Sequence, residues 1–386
     1  MKIDCIRTHH LRDTLAQPFG FSQWFYNTRN TLWVEIVADD GTTGWGECYG
    51  PAEVYQAAIA SFYAPRLLQL DPLSTDFLWH NMWQWSLDFA RGGIMMGAMS
   101  GIDMALWDLK GKALGLSVSE LLGGRYRNEL PCYATGMYFK DIPEDALVES
   151  LVAEASGYRN QGFDAMKIKV GKNLDFDTRL IAALRQALPD TTLMADANHA
   201  YDLPEAIRIG HVLDEHAFAW FEEPLSPEHE SQFRQLHEKV DIPIATGECE
   251  QTRYGFRRLL SAGGVQIAQP DIAFCGGLSE AVKIRTIASA LGVNVLPHCW
   301  GTMLNLAAAT HFLASTYREP GRAEDSGAIL ELDRTPNPLR DELFESPLDI
   351  DVATVRVPTA PGLGVAVDPS AMKSFCIHTT ETPTAR

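Results

Sequence analysis

Charged residues recur at nearly even intervals through the middle of the chain, and their types suit metal-assisted proton transfer. The positions in this series are Lys167, Lys169, Asp196, Glu222, Glu248, Asp271 and His298. Successive motifs are about 23 to 29 residues apart, the length of one strand and one helix in a βα unit. Because the carboxyl ends of parallel strands meet on one face of a β/α barrel, we expect these side chains to share one site.

Three of these residues, Asp196, Glu222 and Glu248, are carboxylates that end three successive predicted strands. Like charges in one cleft repel and raise each other's pKa, and a hard divalent cation removes that penalty. Mg²⁺ takes oxygen ligands and keeps positions open for water or substrate, so we predict a Mg²⁺ site here. Solvated acidic groups are the alternative, which suits a single carboxylate better than three in register. Glu223 must point differently from Glu222, and the sequence leaves its role open.

A pair of lysines and a histidine complete the predicted chemistry. Lys167 and Lys169 leave the same face of one strand, and the positive charge of one, with partial burial, is expected to lower the pKa of the other. Lys169 is therefore predicted to act as a general base near neutral pH. Asp271 ends the strand before that of His298, and a carboxylate on one imidazole nitrogen leaves the other free for proton transfer.

Asn198 shares a strand face with Asp196, and His199 lies just beyond it. Both are predicted to contact substrate or to support the residues that do, although His199 also suits a plain loop position. The segment 19–29 is aromatic and contains glycine, which is typical either of a packed loop or of a lid over a site.

The first 128 residues have the pattern of a separate α+β unit. An alternating strand at 31–37 is followed by an Asp-Gly turn and a returning strand at 43–47, and helical patterning covers about 52–68 and 96–114.

From Tyr133 onwards, short apolar runs alternate with amphipathic stretches. Predicted strands lie near 133–135, 165–170, 193–197, 220–222, 244–246, 266–269 and 294–297, with helices such as 179–187 and 278–291. This alternation is typical of an α/β chain whose parallel strands close as a TIM-like barrel. We predict an α+β domain at 1–128, a barrel carrying the active site at 129–320, and a C-terminal segment at 321–386 that packs back on the first domain.

Composition excludes several classes of function. The chain has 386 residues, 46% of them hydrophobic, with a net charge of −18 and a pI near 5.0. Such a surface repels phosphate backbones and anionic lipid, so neither nucleic acid nor membrane is an expected partner. No signal peptide or transmembrane run is recognisable. The 7 scattered cysteines suggest reduced thiols in a cytoplasmic protein.

Together these motifs resemble the enolase superfamily, in its mandelate racemase subgroup, over nearly the whole chain. The motifs that carry the resemblance are Gly44-Trp45-Gly46-Glu47, Trp107-Asp108, Lys167-Ile168-Lys169, Asp196-Ala197-Asn198, Glu222-Glu223-Pro224, Gly247-Glu248 and the Asp271/His298 pair. The resemblance implies an α+β capping domain over a (β/α)7β barrel, Mg²⁺ as the cofactor, and a homo-oligomer such as a dimer or octamer. The muconate cycloisomerase subgroup has a lysine after the sixth strand; the stretch 271–277 has none, which sets that subgroup aside.

The resemblance also implies that Glu331, on the eighth strand, donates to a developing enediolate. Several stretches, among them 196–201, 297–302 and 333–338, look closest to galactarolactone cycloisomerases, which open a sugar-acid lactone by β-elimination. Substrate contacts are expected from Trp24 and Tyr26 in the 19–29 segment and from Tyr49.

We therefore expect Mg²⁺-dependent removal of the proton α to the carboxylate of a small anionic sugar acid or its lactone, followed by β-elimination as a cycloisomerase or a dehydratase. A two-base racemase or epimerase of a 2-hydroxy acid is the alternative within the enzyme class. A barrel that binds metal without catalysis is a remote alternative, because mere binding has no need of two opposed bases. A zinc hydrolase is disfavoured by the lack of a His-x-His motif on an early strand.

Overall fold

The computed structural model describes residues 1–318 and 327–384. The chain begins with an antiparallel sheet and a group of helices, here called the cap. Its strands are β1 (Ile3–Gly20), β2 (Phe25–Ala38) and β3 (Thr43–Cys48), and its helices are α1 (Ala52–Ala58), α2 (Ala64–Leu67), α3 (Thr75–Ser86), α4 (Ile94–Leu114) and α5 (Val118–Leu121). A π-helical turn at Ile59–Tyr63 joins α1 to α2, so the helix predicted over 52–68 has an irregular middle.

Helix α4 packs directly on β3 because that strand carries two glycines. A Cβ atom at Gly44 would lie 2.1 Å from the Ala105 carbonyl oxygen, and one at Gly46 would lie 2.1 Å from that of Gly101. Only glycine allows backbones to approach this closely. The Gly44-Trp45-Gly46 motif therefore fixes the distance between the sheet and the central helix of the cap.

The barrel follows, and its described residues form eight parallel strands alternating with seven helices, which is the (β/α)7β architecture that the resemblance implied. The strands are β4 (Glu129–Thr135), β5 (Ala165–Lys169), β6 (Thr192–Asp196), β7 (Phe221–Glu222), β8 (Ile244–Thr246), β9 (Ile267–Ala268), β10 (Asn294–Val295) and β11 (Leu330–Asp333). The intervening helices are α6 (Glu144–Gln161), α7 (Leu174–Ala187), α8 (Leu203–Glu215), α9 (Glu230–His237), α10 (Thr252–Ala262), α11 (Gly277–Ala290) and α12 (Met303–Ala314). Neighbouring strands pair in chain order from β4 to β10, and β11 pairs with β4.

The C-terminal segment is divided between the two domains, which corrects the predicted boundary. Residue 320 itself lies outside the described residues, but β11 pairs in parallel with β4 and is the eighth strand of the barrel. The remaining elements are α13 (Pro338–Asp341), β12 (Phe344–Ser346), β13 (Ile350–Asp351), β14 (Thr354–Arg356), β15 (Ala366–Val367), α14 (Pro369–Phe375) and β16 (Cys376–Pro383). Of these, β14 pairs antiparallel with β4, whereas β16 extends the cap sheet beside β1. Pairing with strands distant in the sequence makes this division, and composition does not reveal it.

The segment 19–29 is not a loop, as the sequence suggested, but the tip of a long hairpin. Strands β1 and β2 pair up to Gly20 and Phe25, and only residues 21–24 turn. The tip rests on the barrel, because Ser22 Oγ donates to Ala197 O (3.0 Å) and Gln23 Nε2 donates to Asn198 O (2.8 Å). Among the described residues, no helix has the length and apolar character needed to cross a bilayer.

Candidate active site

The carboxyl ends of β6, β7 and β8 bring three buried carboxylates together. Asp196 and Glu222 are the last residues of β6 and β7, and Glu248 follows β8 after one glycine. One oxygen from each lies within 4.8 Å of the others, which is a spacing that suits a shared cation. The parallel register also places Lys169 opposite Asp196 on the adjacent strand.

Each lysine of β5 meets a different part of this carboxylate cluster. Lys167 Nζ lies between Glu222, with which it forms a close ion pair, and Glu331 Oε1 at 2.9 Å. Lys169 Nζ pairs closely with Asp196 and also donates to Asn198 Oδ1 over 2.9 Å. Lys169 is therefore the lysine on the Asp196 side of the cluster, whereas Lys167 is enclosed by carboxylates.

His298 stands on the other side of the carboxylates. Its Nδ1 contacts Asp271 Oδ2 at 2.6 Å, and its Nε2 lies 3.4 Å from Glu248 Oε2. The strong Asp271 contact assigns the proton on Nδ1 to that hydrogen bond and directs Nε2 towards the cluster. Lys169 and His298 thus face the three carboxylates from the Asp196 end and the Glu248 end, respectively.

The charges set the pKa values of these groups, and one differs from the sequence prediction. Burial alone would lower the pKa of Lys169, but the charges around it, of which the Asp196 carboxylate is the strongest, together outweigh burial and raise the pKa above the usual value. The positive charge of Lys167 does lower the pKa of Lys169, as the sequence predicted, but by less than Asp196 raises it. Burial also opposes the charge of His298, yet the Glu248 carboxylate and the bond to Asp271 raise the pKa of His298 to about 10.

Glu331 lies beside Lys167 on the closing strand of the barrel. Its Oε1 accepts from Thr135 Oγ1 (2.6 Å), and its Oε2 accepts from the Cys299 backbone N–H (3.1 Å). Burial raises its pKa, but Lys167 and the other donors lower it more strongly, to about 2. Glu331 is therefore ionised and accepts hydrogen bonds, which differs from the donor role that the resemblance implied.

The hydrogen bonding of the three carboxylates suits a bound cation. Glu248 Oε2 is buried and has no hydrogen-bond partner, although the neighbouring Glu222 Oε2 accepts from both Gln269 Nε2 (2.7 Å) and Trp220 Nε1 (3.0 Å). Burial raises the pKa of Glu222 to about 7. A buried carboxylate oxygen that accepts no hydrogen bond, beside a second buried carboxyl group, fits a hard cation bound by oxygen ligands.

The predicted substrate contacts fall into two groups. Asn198 is committed to Lys169, and the two nitrogens of His199 face Leu225 O (3.2 Å) and the side chains of Glu223 and Cys249. His199 is therefore a supporting residue in this arrangement and does not point freely into the site.

The other group lines a cavity of about 570 Å³ between the cap and the barrel. The cavity is bordered by Trp24, Tyr26, Arg29, Tyr49, Trp300 and Asn337, among others. It does not include the carboxylates, but the ring of Tyr49 lies 5.6 Å from that of His298 and so connects the cavity with the catalytic end. Trp24 is 62% exposed, whereas Tyr26 packs on Trp300 with their ring centroids 5.0 Å apart.

Some site residues were missed by sequence reasoning. Gln269 follows β9 and directly precedes the Pro270-Asp271 motif, so its place at a strand end could have predicted that it belongs to the site. Thr135 likewise ends β4. Asn305 contacts Asp271 from helix α12 and carried no such signal, because nothing in its neighbourhood distinguishes it from other polar helix residues.

The fold and the site define a barrel enzyme with a carboxylate cluster between a lysine and a histidine. The family model described as "Mandelate racemase / muconate lactonizing enzyme, N-terminal domain" matches residues 3–123, and that described as "Enolase C-terminal domain-like" matches residues 150–371. The chain belongs to this mandelate racemase/muconate lactonizing enzyme family of the enolase superfamily. The family and the fold class predicted from the motifs are thereby confirmed.

Individual relatives resemble the chain along its whole length. A D-galactarolactone cycloisomerase of Agrobacterium fabrum is 42% identical over 376 residues, which are 97% of this chain and 99% of the relative. The crystal structure of the 3,6-anhydro-D-galactonate cycloisomerase from Zobellia galactanivorans has a TM-score of 0.88 at 41% identity and covers 98% of this chain and 100% of its own. An L-talarate/galactarate dehydratase variant, liganded with Mg and L-glucarate, has a TM-score of 0.85 at 28% identity and covers 100% and 94%.

Proposed function

We propose that the protein removes the proton α to the carboxylate of a sugar acid or its lactone, and that the resulting enediolate undergoes β-elimination. The observation that carries this proposal is the position of the carboxylates Asp196, Glu222 and Glu248 between Lys169 and His298. A binding site alone does not require two opposed groups that exchange protons. Relatives named as cycloisomerases and dehydratases of sugar acids support the same reaction type.

We infer that Asp196, Glu222 and Glu248 hold Mg²⁺. When bound, this cation supplies charge stabilisation for a substrate carboxylate that becomes an enediolate. Binding would also neutralise the Asp196 carboxylate, which is the group that raises the pKa of Lys169. Lys167 and Glu331 then serve a supporting role: Lys167 is held between Glu222 and Glu331 and keeps positive charge beside the reacting carboxylate.

The two bases divide the proton transfers between them. One of Lys169 and His298 takes the α-proton as the C–H bond breaks, and the new double bond forms as the β C–O bond breaks. The leaving oxygen takes the bonding electrons, and the other member of the pair gives it a proton where one is needed. Asp271 keeps Nε2 of His298 directed at the site through its 2.6 Å contact with Nδ1.

The cavity beside Tyr49 is suited to the hydroxylated remainder of the substrate. Trp300 Nε1 and Asn337 Oδ1 are buried without a hydrogen-bond partner, and both residues line this cavity. Arg29 also lines it, with its guanidinium stacked 4.4 Å from the Trp300 ring. Unpaired donors and acceptors favour a ligand with hydroxyl groups, because a purely apolar ligand would leave them unsatisfied.

A panel of aldonates, aldarates and their lactones, incubated in D₂O with Mg²⁺, tests the proposal. A cycloisomerase converts a lactone into an isomer of equal mass, and a dehydratase releases one water from an open acid. A racemase or epimerase, the second candidate favoured by the two opposed bases, returns the inverted acid with deuterium at the α-carbon. No turnover and no α-deuterium exchange with any acid of the panel would contradict the proposal.

We also infer that the substrate is a small anionic sugar acid, that neither nucleic acid nor membrane is a partner, and that the chain forms a homo-oligomer, dimer or octamer. The net charge of −18 supports the second inference, because such a surface repels phosphate backbones and anionic lipid, and an anionic substrate must then be attracted by local lysines. The 7 cysteines are all free thiols, which supports a cytoplasmic location.

A further inference from the structure

A second set of metal-ligating side chains lies immediately beyond the carboxylate cluster. His199, Glu223 and Cys249 follow Asp196, Glu222 and Glu248 on the same three strand ends. One ligand atom of each lies within 4.8 Å of the others. The inner set is made only of oxygen donors, whereas the outer set offers one nitrogen, one oxygen and one sulfur.

The contacts of His199 indicate chelation and not a catalytic relay. Its Nδ1 faces Leu225 O at 3.2 Å and must donate to it, so Nε2 carries a lone pair in the neutral ring. Glu223 Oε2 (3.1 Å) and Cys249 Sγ (3.4 Å) both approach that same Nε2. In a Cys-His-acid relay the nucleophile and the acid occupy different nitrogens of the imidazole, so this arrangement does not suit one.

Two of the three separations between these ligand atoms are close to the edges of a tetrahedral zinc site. Zn–N bonds of about 2.0–2.1 Å and Zn–S bonds of about 2.3 Å place tetrahedral ligand atoms about 3.3 to 3.6 Å apart. The two measured edges, 3.1 Å and 3.4 Å, need shifts of only a few tenths of an ångström. Glu223 is buried and its Oε1 has no hydrogen-bond partner, so a second carboxylate oxygen also lacks a protein contact.

We propose that His199, Glu223 and Cys249 form a second cation site, which takes a thiophilic divalent ion such as Zn²⁺ in preference to Mg²⁺. The hydrogen bond between His199 Nδ1 and Leu225 O is the kind of support that orients a metal-binding imidazole. Cys249 is exposed and provides access from solvent. On binding, the thiol gives up its proton to solvent and the sulfur bonds to the metal.

Metal binding at this site would change the contacts that hold Lys169. Glu223 Oε2 also accepts from Asn198 Nδ2 (3.3 Å), and Asn198 Oδ1 accepts from Lys169 Nζ (2.9 Å). A cation that draws Glu223 towards His199 and Cys249 therefore loosens the support of Asn198. The outer site would make the enzyme sensitive to Zn²⁺ even when Mg²⁺ saturates the inner one.

Cobalt absorption spectroscopy tests the site directly, without reference to turnover. Stoichiometric Co²⁺ is added to the full chain in excess Mg²⁺ under reducing, anaerobic conditions. We expect a thiolate-to-cobalt charge-transfer band with the strong visible absorption of tetrahedral Co²⁺, and loss of both on adding Zn²⁺. Co²⁺ in the inner, all-oxygen site gives no thiolate band, so Glu248→Gln should retain the signal.

The matched variants are Cys249→Ser, which should abolish the charge-transfer band, and Cys376→Ser, a half-buried thiol elsewhere that should not change it. Protection in the wild type gives a second measurement, in which Zn²⁺ should slow alkylation of Cys249, followed by mass spectrometry, at least tenfold relative to Cys376. A wild-type spectrum without the band, a band that survives Cys249→Ser, or equal alkylation with and without Zn²⁺ would overturn the proposal.

Discussion

Asn305 donates from its side-chain Nδ2 to Asp271 Oδ1 over 3.2 Å, and Asp271 in turn holds His298 Nδ1. A carboxylate only accepts, so this contact requires the amide nitrogen, and the amide orientation is fixed. The backbone N–H of Asn305 donates to Glu47 Oε2 of the cap over 3.2 Å, as does that of Thr302 over 3.0 Å. The buried carboxylate of Glu47 thus holds the start of α12 in place, and Asn305 of α12 in turn holds the Asp271/His298 pair in position.

Replacing Asn305 with leucine should therefore disturb the position of His298 through Asp271, and not through a substrate contact of its own. We expect kcat to fall by about 10-fold or more with KM little changed, because the loss of one hydrogen bond to a buried carboxylate costs at least about 1.4 kcal/mol. Steady-state kinetics on the substrate found in the panel measure both constants. Asn160→Leu, on the exposed face of α6, is the matched control, and a change confined to KM would contradict a positioning role.

Loss of one carboxylate should appear first in metal affinity. Glu248→Gln is expected to weaken Mg²⁺ binding by more than the roughly 10–100-fold that loss of a supporting residue costs, because Glu248 contributes a buried oxygen that accepts no hydrogen bond in the protein. EDTA should abolish turnover of the wild type, and Mg²⁺ should restore it. Glu250→Gln, two residues along and facing Arg258, is the control. A wild-type Mg²⁺ requirement in Glu248→Gln would show that this residue is not a ligand.

Lys169→Ala and His298→Asn should each lower kcat by at least about 10²-fold, the low end of the contribution of a general acid or base. One of the two variants should still exchange the substrate α-hydrogen with D₂O, since the base that remains can act alone on its own face. NMR of recovered substrate distinguishes them and identifies the abstracting base. Lys172→Ala, on the loop after β5, controls for loss of a lysine. Near-wild-type turnover in both variants would refute the mechanism.

The hairpin tip should control substrate preference. Trp24→Ala and Tyr26→Ala are expected to change KM or the preferred acid while the chain stays folded, because both residues line the cavity; Trp24→Ala should also leave the melting temperature unchanged, because Trp24 is largely exposed. Phe77→Ala, on an exposed face of α3, is the control. Unchanged kinetics over the whole panel would mean that the hairpin tip does not contribute to substrate selection and serves only to contact the barrel at Asn198.

A buried carboxylate between cap and barrel predicts a pH-dependent stability. Asp103 of α4 accepts from the Ser279 hydroxyl (2.6 Å) and N–H (2.9 Å) of α11, and burial raises its pKa to about 7. The folded chain therefore retains a proton that the unfolded chain releases from about pH 4 upwards, so this residue's contribution falls as the pH rises from about 4 to 7.

Asp103→Asn removes that titration. We expect the melting temperature of the wild type minus that of this variant to become smaller as the pH rises from about 5 to about 8, as measured by calorimetry. Asp190→Asn, at an exposed loop position, should give the same difference from the wild type at both pH values. A constant difference for Asp103→Asn would mean that Asp103 is ionised throughout this range.

The sequence by itself determined the strand-end positions of Lys169, Asp196 and Glu222. The physical reason is local, because a βα repeat places the residue after each apolar run on the same face of the barrel whatever the details of packing. The same argument applied to Glu248, Asp271 and His298, and it explains why the spacing predicted a β/α barrel, whereas the (β/α)7β form and the capping role of the first domain came from the family resemblance.

Only the tertiary structure decided which groups meet. The enclosure of Lys167 between Glu222 and Glu331, the contact of Asn305 with Asp271, and the raised pKa of Lys169 all depend on side chains from strands or helices distant in the chain. The division of the C-terminal segment between barrel and cap has the same origin. Burial and charge at a point sum over every neighbour in space, whereas a sequence pattern registers only the neighbours along the chain.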